Sequence, residues 1–405
     1  MAHYSYIAKS QQGETKLGLL EAKDETELSA SLRQQGLFLI SYETKKKPSN
    51  LEKFSFILNK GVGIADKIFF IRNLQVMTSA GVSLPKTIGI LSGQAKNKNF
   101  RKALAEIQRK IIDGGNLSDG MANYPDIFPE IFQNMIKVGE ESGTLEQVLK
   151  SLSRQLEKEY ELKTKITGAL IYPLVVISAM IAIGFAMLII VVPQLAETFA
   201  ELEISLPLTT RILIGVGQFL KEKWYLLPLI IAAGVIFLKQ ILKIKSVKRL
   251  FDKVFLKTPL VSKLVSQINS ASFTRTLGSL MASGIPLVRS LEIIAGTLGN
   301  VYFKDSLADA AEQIKKGAKL SDALKPYSHL YLPIVIQMIE VGEETGETSN
   351  MLAQLAGFLE DEVANTTKNL AAAIEPILML VVGAAVGFFA VSMIQPMYSM
   401  LEGIQ

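Results

Sequence analysis

The sequence predicts an all-α fold: two duplicated cytoplasmic helical-bundle domains with three transmembrane helices, preceded by a small α+β N-terminal module. A repeat is the first observation behind this. Phe70-Ile71-Arg72-Asn73-Leu74 through Val138-Gly139-Glu140-Glu141-Ser142-Gly143 returns as Phe273-Thr274-Arg275-Thr276-Leu277 through Val341-Gly342-Glu343-Glu344-Thr345-Gly346, and Arg275 against Arg72 and Pro396 against Pro193 both differ by 203 positions. A register held from bundle into membrane segment means that a whole domain was duplicated together with its span. Composition is the second observation. At 49% hydrophobic residues and a mean hydropathy of +0.30 the chain is more apolar than most soluble domains, yet 20% charged residues is too many for a protein lying wholly in lipid. Soluble and membrane-embedded parts must therefore alternate.

Residues 1–48 read as the small module and its linker. Tyr4 to Ala8 and Lys16 to Ala22 flank a turn at Gln11-Gln12-Gly13, the pattern of a hairpin. Asp24 is placed to cap a helix running to Gln35, Gly36 to stop it, and Leu37-Phe38-Leu39-Ile40 reads as a further strand before the polar linker Lys45 to Asn50. Met1 to Tyr6 lacks the basic and apolar regions of a secretion signal, so these residues are expected to stay in the cytoplasm.

Residues 64–167 form the first bundle and 267–370 the second. Leu74 and Met77 before Gly81, matched by Leu277 and Leu280 before Gly284, mark a helix with a glycine stop. Ser118 and Ser321 are expected as N-caps of a later helix. An apolar helix is expected to break at Gly139 and at Gly342. The next helix of the first bundle, with Glu159 and Glu161 four residues before Lys163 and Lys165 on a solvated face, is expected to run unbroken into the membrane.

Spans are assigned to 168–196, 223–242 and 373–401, with an external loop at 197–222. Gly168 to Val192 is free of charge over 25 positions and Pro376 to Leu401 over 26, each enough to cross a bilayer; Trp224 to Leu238 is uncharged over only 15, with Lys223 and Lys239 placed to snorkel. Lys158, Lys163 and Lys165 precede the first span, and seven basic residues from Lys239 to Lys257 follow the second. By the positive-inside rule both bundles face the cytoplasm and the C-terminus lies outside.

Several function classes are excluded or left without material. There is no cysteine, so thiolate nucleophiles and cysteine-ligated metals are absent, and only two histidines are present. The nearest approach to a phosphate loop, Gly342 to Thr348, carries Glu347 where a lysine is needed. No aromatic-basic interleaving supports nucleic-acid binding, and the net charge of +5 is largely the membrane-flanking bias. No enzyme, cofactor or metal site is predicted.

Candidate sites are therefore surfaces and membrane positions. Glu140-Glu141 and Glu343-Glu344 read as solvated residues at a helix start, as a surface for a basic partner, or as oxygen ligands for a divalent cation. Arg72 and Arg275 either pair internally or meet a partner. Glu375, at the start of a span where Tyr172 stands in the first copy, is either functional or a marker of the boundary. Pro173 and Pro376 are expected to kink their helices, Pro193 and Pro396 to end them, and Gly383 with Gly387 to serve helix packing.

The paired Val138 to Gly143 and Val341 to Gly346, the paired Ser79 to Leu84 and Ala282 to Leu287, Glu375-Pro376, and Gly13, Gly18, Glu21-Ala22 and Leu32 to Leu37 in the opening module carry a resemblance. The chain resembles the GspF/PilC family, the inner-membrane platform proteins of type II secretion systems and type IV pili. The resemblance implies a homo-oligomeric assembly part that binds a hexameric secretion ATPase, pilins or pseudopilins and other inner-membrane assembly proteins. On that reading, exchanging Glu343 and Glu344 for Gln is expected to spare folding and impair assembly. The alternative from another class, an oligomeric transporter or channel subunit, lacks a polar stripe along its spans.

Overall fold

In the computed structural model, residues 2–10, 15–22, 25–34, 36–45, 61–201, 208–223 and 225–402 are described. They fall into two units, Met1–Gly61 and Val62–Gln405.

In the first unit, β1 (Ala2–Ser10) lies centrally between β2 (Thr15–Ala22) and β3 (Leu37–Lys45), antiparallel to both. The helix α1 (Glu25–Gln34) contributes Leu32 to a small core with Ala8 and Leu37, and Gly36 follows it at φ 70°. The hairpin turn and Asp24 lie outside the described residues. β3 runs to Lys45, five residues beyond the expected Ile40, because β1 offers backbone partners as far as His3↔Lys45.

The second unit is helical. Its first repeat comprises α2 (Ile64–Ser79), α3 (Leu84–Gln94), α4 (Lys98–Ile112), α5 (Leu117–Ala122), α6 (Glu130–Ser142) and α7 (Leu145–Ala186). A π-helical turn at Met187–Val191, α8 (Val192–Glu201), α9 (Leu208–Lys223), α10 (Leu226–Ile241) and α11 (Lys245–Lys257) connect it to the second. That repeat comprises α12 (Pro259–Ala282), α13 (Leu287–Thr297), α14 (Val301–Lys315), α15 (Leu320–Leu324), α16 (Pro333–Thr345) and α17 (Thr348–Glu402).

The duplication is visible down to single hydrogen bonds. α2 ends in a Schellman turn, Gly81 N–H to Thr78 O at 2.9 Å and Val82 N–H to Met77 O at 3.0 Å; α12 ends the same way, Gly284 to Met281 and Ile285 to Leu280, with the glycines at φ 79° and 80°. Asn97 and Asn300 cap α4 and α14 with their side chains. Phe70, Phe100 and Phe128 meet in the first core with ring centres 5.6 to 6.1 Å apart, and Phe273, Phe303 and Tyr331 occupy the same places in the second. The buried Tyr331 hydroxyl is satisfied by Ser306 Oγ at 2.8 Å, and burial pushes its phenol well above the usual range.

The two repeats share one continuous apolar core. Gln155 on α7 is buried and bridges to α12, donating to Thr276 Oγ1 at 3.1 Å and accepting from Ser279 Oγ at 3.0 Å. Arg289 on α13 donates to Glu130 Oε1 on α6 at 2.7 Å.

α7 carries the bundle outward without a break, as the sequence indicated, and so does α17, whose 55 residues span about 80 Å at ~1.5 Å per residue. Among the described residues these two helices, and not three, are long and apolar enough to cross a membrane; α10 has 16 residues. Neither Pro193 nor Pro396 ends its helix. Proline lacks the N–H and its ring collides with the carbonyl four residues back. A wide turn at Met187–Val191, closed by Val192 N–H to Met187 O, precedes Pro193, and the helix goes on through the proline to Glu201. α17 continues through Pro376 and Pro396 to Glu402.

Candidate docking faces and the membrane helix pair

The motif Val-Gly-Glu-Glu-Ser/Thr-Gly forms a helix-to-helix corner, and each position has its own task. α6 passes through Gly139 and α16 through Gly342, so the break expected there falls later, at Gly143 (φ 70°) and Gly346 (φ 73°). Gly139 and Gly342 instead permit contact. A Cβ on Gly139 would stand 3.0 Å from Leu145 Cα, and one on Gly342 2.8 Å from Thr348 Cα, both backbone atoms of the following helix. Gly342→Ala should therefore lower the stability of the full-length protein by about 1–3 kcal/mol through overpacking. A calorimetric scan in detergent checks this; an unchanged midpoint would mean that the corner is loose.

Glu140 and Glu343 point inward. Glu140 accepts from Leu117 N–H (2.5 Å), Ser118 N–H (3.1 Å) and Ser118 Oγ (2.5 Å), and Glu343 from Leu320 N–H (2.6 Å), Ser321 N–H (3.1 Å) and Ser321 Oγ (2.6 Å). The two carboxylates thus cap α5 and α15, whose first N–H groups have no partner in their own helices, and a negative charge suits a helix start. Ser118 and Ser321 are not the N-caps: those positions belong to Asn116 and Lys319, and the serines stand inside the helix and hold the distant carboxylate. The second acid of each pair points outward. Glu141 and Glu344 are exposed, Glu141 lying 3.9 Å from Lys137. Among the described residues no group of three or more His, Asp or Glu is arranged to hold a metal ion.

Arg72 and Arg275, equivalent in sequence, are not equivalent in space. Arg72 is exposed and 4.0 Å from Glu157. Arg275 forks onto Glu360 at 2.7 and 2.9 Å with only 17% and 13% of the two side chains exposed. The difference arises because the second pair closes a cleft of about 420 Å³ where the repeats meet, walled by Gln155, Lys158 and Glu159 of α7. Sequence reasoning named neither acid as a partner, although the repeat carries a signal for both: Glu157 follows Arg72, and Glu360 follows Arg275, by 85 positions. Gln155 and Glu130 gave no such signal, since their partners lie in the other repeat.

In the membrane pair, the apolar parts of α7 and α17 lie side by side and line a cleft of about 610 Å³ with residues such as Val175, Ile183, Val382 and Phe389. Pro173 is buried, whereas Pro376, its counterpart in the repeat, is exposed together with Glu375. Gly383 and Gly387 face open space within the chain, so packing between α7 and α17 does not use them. α9 closes the far end. Thr210 Oγ1 donates to Ser392 O at 2.6 Å, and Gly217 lies against Leu188 of the π turn.

The family model described as type II secretion system (T2SS), protein F, matches residues 70–193 and again 273–396, and that for the N-terminal domain of the same protein matches 1–43. The chain belongs to the type II secretion system protein F family. Each of the two long matches begins at the phenylalanine that anchors its aromatic cluster, Phe70 or Phe273, and ends at the equivalent prolines Pro193 and Pro396. Members similar to it carry two kinds of name. A type IV pilus assembly protein PilC of Thermus thermophilus is 32% identical over 99% of this chain and 98% of its own length, and one of Myxococcus xanthus 31% over 100% and 96%. A type II secretion system protein F of Vibrio cholerae is 28% identical over 99% and 98%.

Proposed function

We propose that this protein is the inner-membrane platform of a type IV pilus machine, coupling a cytoplasmic hexameric ATPase to the extraction and polymerisation of pilin subunits. The observation that carries the reading is mechanical. Two repeats form one bundle with a shared core, and two unbroken helices lead from that bundle side by side into apolar segments. A displacement imposed on such a bundle is transmitted along the helices rather than lost at a joint. The equivalent platform of a type II secretion system is the alternative: the PilC proteins are 31–32% identical to this chain, and the protein F relatives, like a type IV pilus assembly protein TapC of Aeromonas hydrophila, 28%.

The same packing argues for three crossings. Both repeats lie on one side, because they share a core, so the chain that leaves through α7 must return before α12. α9 is held at the far end by Ser392 and Leu188, while Asp252 of α11 accepts from Val301 N–H of the second repeat at 2.8 Å. Only α10 lies between them. Its 16 residues make about 24 Å of helix, which the flanking lysines and local thinning fit to a ~30 Å hydrocarbon layer.

Docking on the ATPase is assigned to Arg72, Glu141 and Glu344, the exposed members of the candidate set; Glu140, Glu343 and Arg275 are occupied within the bundle. Photo-crosslinking probes at those three positions in native cells should capture the ATPase, identified by mass spectrometry. Capture of membrane proteins alone, at normal protein abundance, would sink the assignment.

A further inference from the structure

α11 presents two opposed faces. Toward the second repeat it turns Arg249, which pairs with Asp305 at 3.0 Å and lies over the Tyr302 ring at 5.5 Å, Asp252, which accepts from Val301 N–H, and Leu256, which packs on the core. At 100° per residue, Leu250, Phe251 and Val254 fall on the other side of the helix, and Phe255 at its edge, where it also borders a cleft of about 310 Å³ against Val265 and Ile268 of the second repeat. All four are exposed, Leu250 to 61% and Val254 to 52%. Lys248 borders this apolar stripe on one flank, Lys253 and Lys257 on the other, and Lys245 stands at the helix start. The lone acid of the helix is Asp252, already engaged inward.

Position along the chain says what covers the stripe. Leu242 to Ile244 separate α11 from the end of α10, and three residues reach at most about 10 Å. On the topology proposed above, α11 is thus held at the depth of the cytoplasmic headgroups.

We propose that α11 lies in the cytoplasmic leaflet as an interfacial helix, with its apolar stripe among the acyl chains and Lys245, Lys248, Lys253 and Lys257 on anionic phospholipid headgroups. An apolar arc opposite a docked face, flanked by cations, is the pattern of a membrane-surface helix. The second repeat, bound to the inner side of α11 through Arg249 and Asp252, is thereby moored to the membrane surface.

The test uses full-length protein carrying Trp224→Phe, which removes the single native tryptophan, with Leu250→Trp as reporter, reconstituted in phosphatidylcholine and phosphatidylglycerol vesicles. Brominated phosphatidylglycerol should quench the reporter about twofold more than brominated phosphatidylcholine at equal mole fraction, and exchange of the four lysines for Gln should abolish the difference while leaving the quenching. Equal quenching by both lipids overturns the anionic preference. A reporter that neither lipid quenches, beside a quenched Ile181→Trp control in α7, overturns the interfacial placement and leaves water or protein as the cover. A Lys263→Cys variant, exposed on α12 and unique because the chain has no native cysteine, separates this from the topology: labelling by an impermeant thiol reagent from outside intact cells would overturn the three-crossing reading itself, whereas labelling only after the cells are opened confines any failure to α11.

Discussion

Glu343→Ala should destabilise the full-length protein by about 2–4 kcal/mol, because three donors at the start of α15 lose one charged acceptor and two of them are backbone N–H groups with no partner in their own helix. Glu344→Ala, one residue on and exposed, should change stability by less than about 0.5 kcal/mol. Glu343→Gln should also destabilise, since an amide turned toward three donors brings its own N–H groups, so Gln is expected to spare folding at Glu344 alone. Melting of each variant in detergent checks the stability difference, and hydrogen exchange at Leu320 and Ser321 localises it. Equal midpoints for the Glu343 and Glu344 variants would refute the capping role. Glu140 and Glu141 should divide in the same way in the first repeat.

Arg275→Ala should cost about 2–4 kcal/mol, a value below that of a fully buried pair because the cleft admits some water, and Arg72→Ala no more than about 0.5 kcal/mol. Removing Arg275 alone strands Glu360 in a confined site. Replacing both, Arg275→Met with Glu360→Leu, should recover most of the loss, since the charge and its desolvation cost go together. Thermal unfolding of the wild type, Arg275→Met, Glu360→Leu and the double variant closes the cycle. If Arg72→Ala and Arg275→Ala proved equally costly, the asymmetry between the repeats would be of no energetic consequence.

Much of the architecture was legible because it repeats. The constant offset of 203 marks the domains and the paired glycine stops at Gly81 and Gly284, and the charge-free run after Lys165 marks the continuity of α7 into its apolar segment. Local rules failed where a residue answers to a distant partner. Ser118 reads as an N-cap by type and spacing, but the cap of α5 comes from Glu140, 22 positions on, and no periodicity encodes that. Gly139 reads as a breaker because glycine is poor in helices, yet its missing side chain is used for contact with Leu145. Pro193 reads as a terminator by residue type, yet the helix goes on through it, as α17 does through Pro396.

The sequence by itself determined the duplication, the alternation of soluble and apolar segments and the family, because these depend on residue order and composition, which folding leaves untouched. Tertiary structure alone decided which of two like residues is exposed. Glu140 and Glu141, or Arg72 and Arg275, have the same chemistry and similar neighbours in the chain. One of each pair is exposed and the other enclosed because helix rotation and the packing of one repeat on the other set where a side chain points, and those are properties of the assembled bundle.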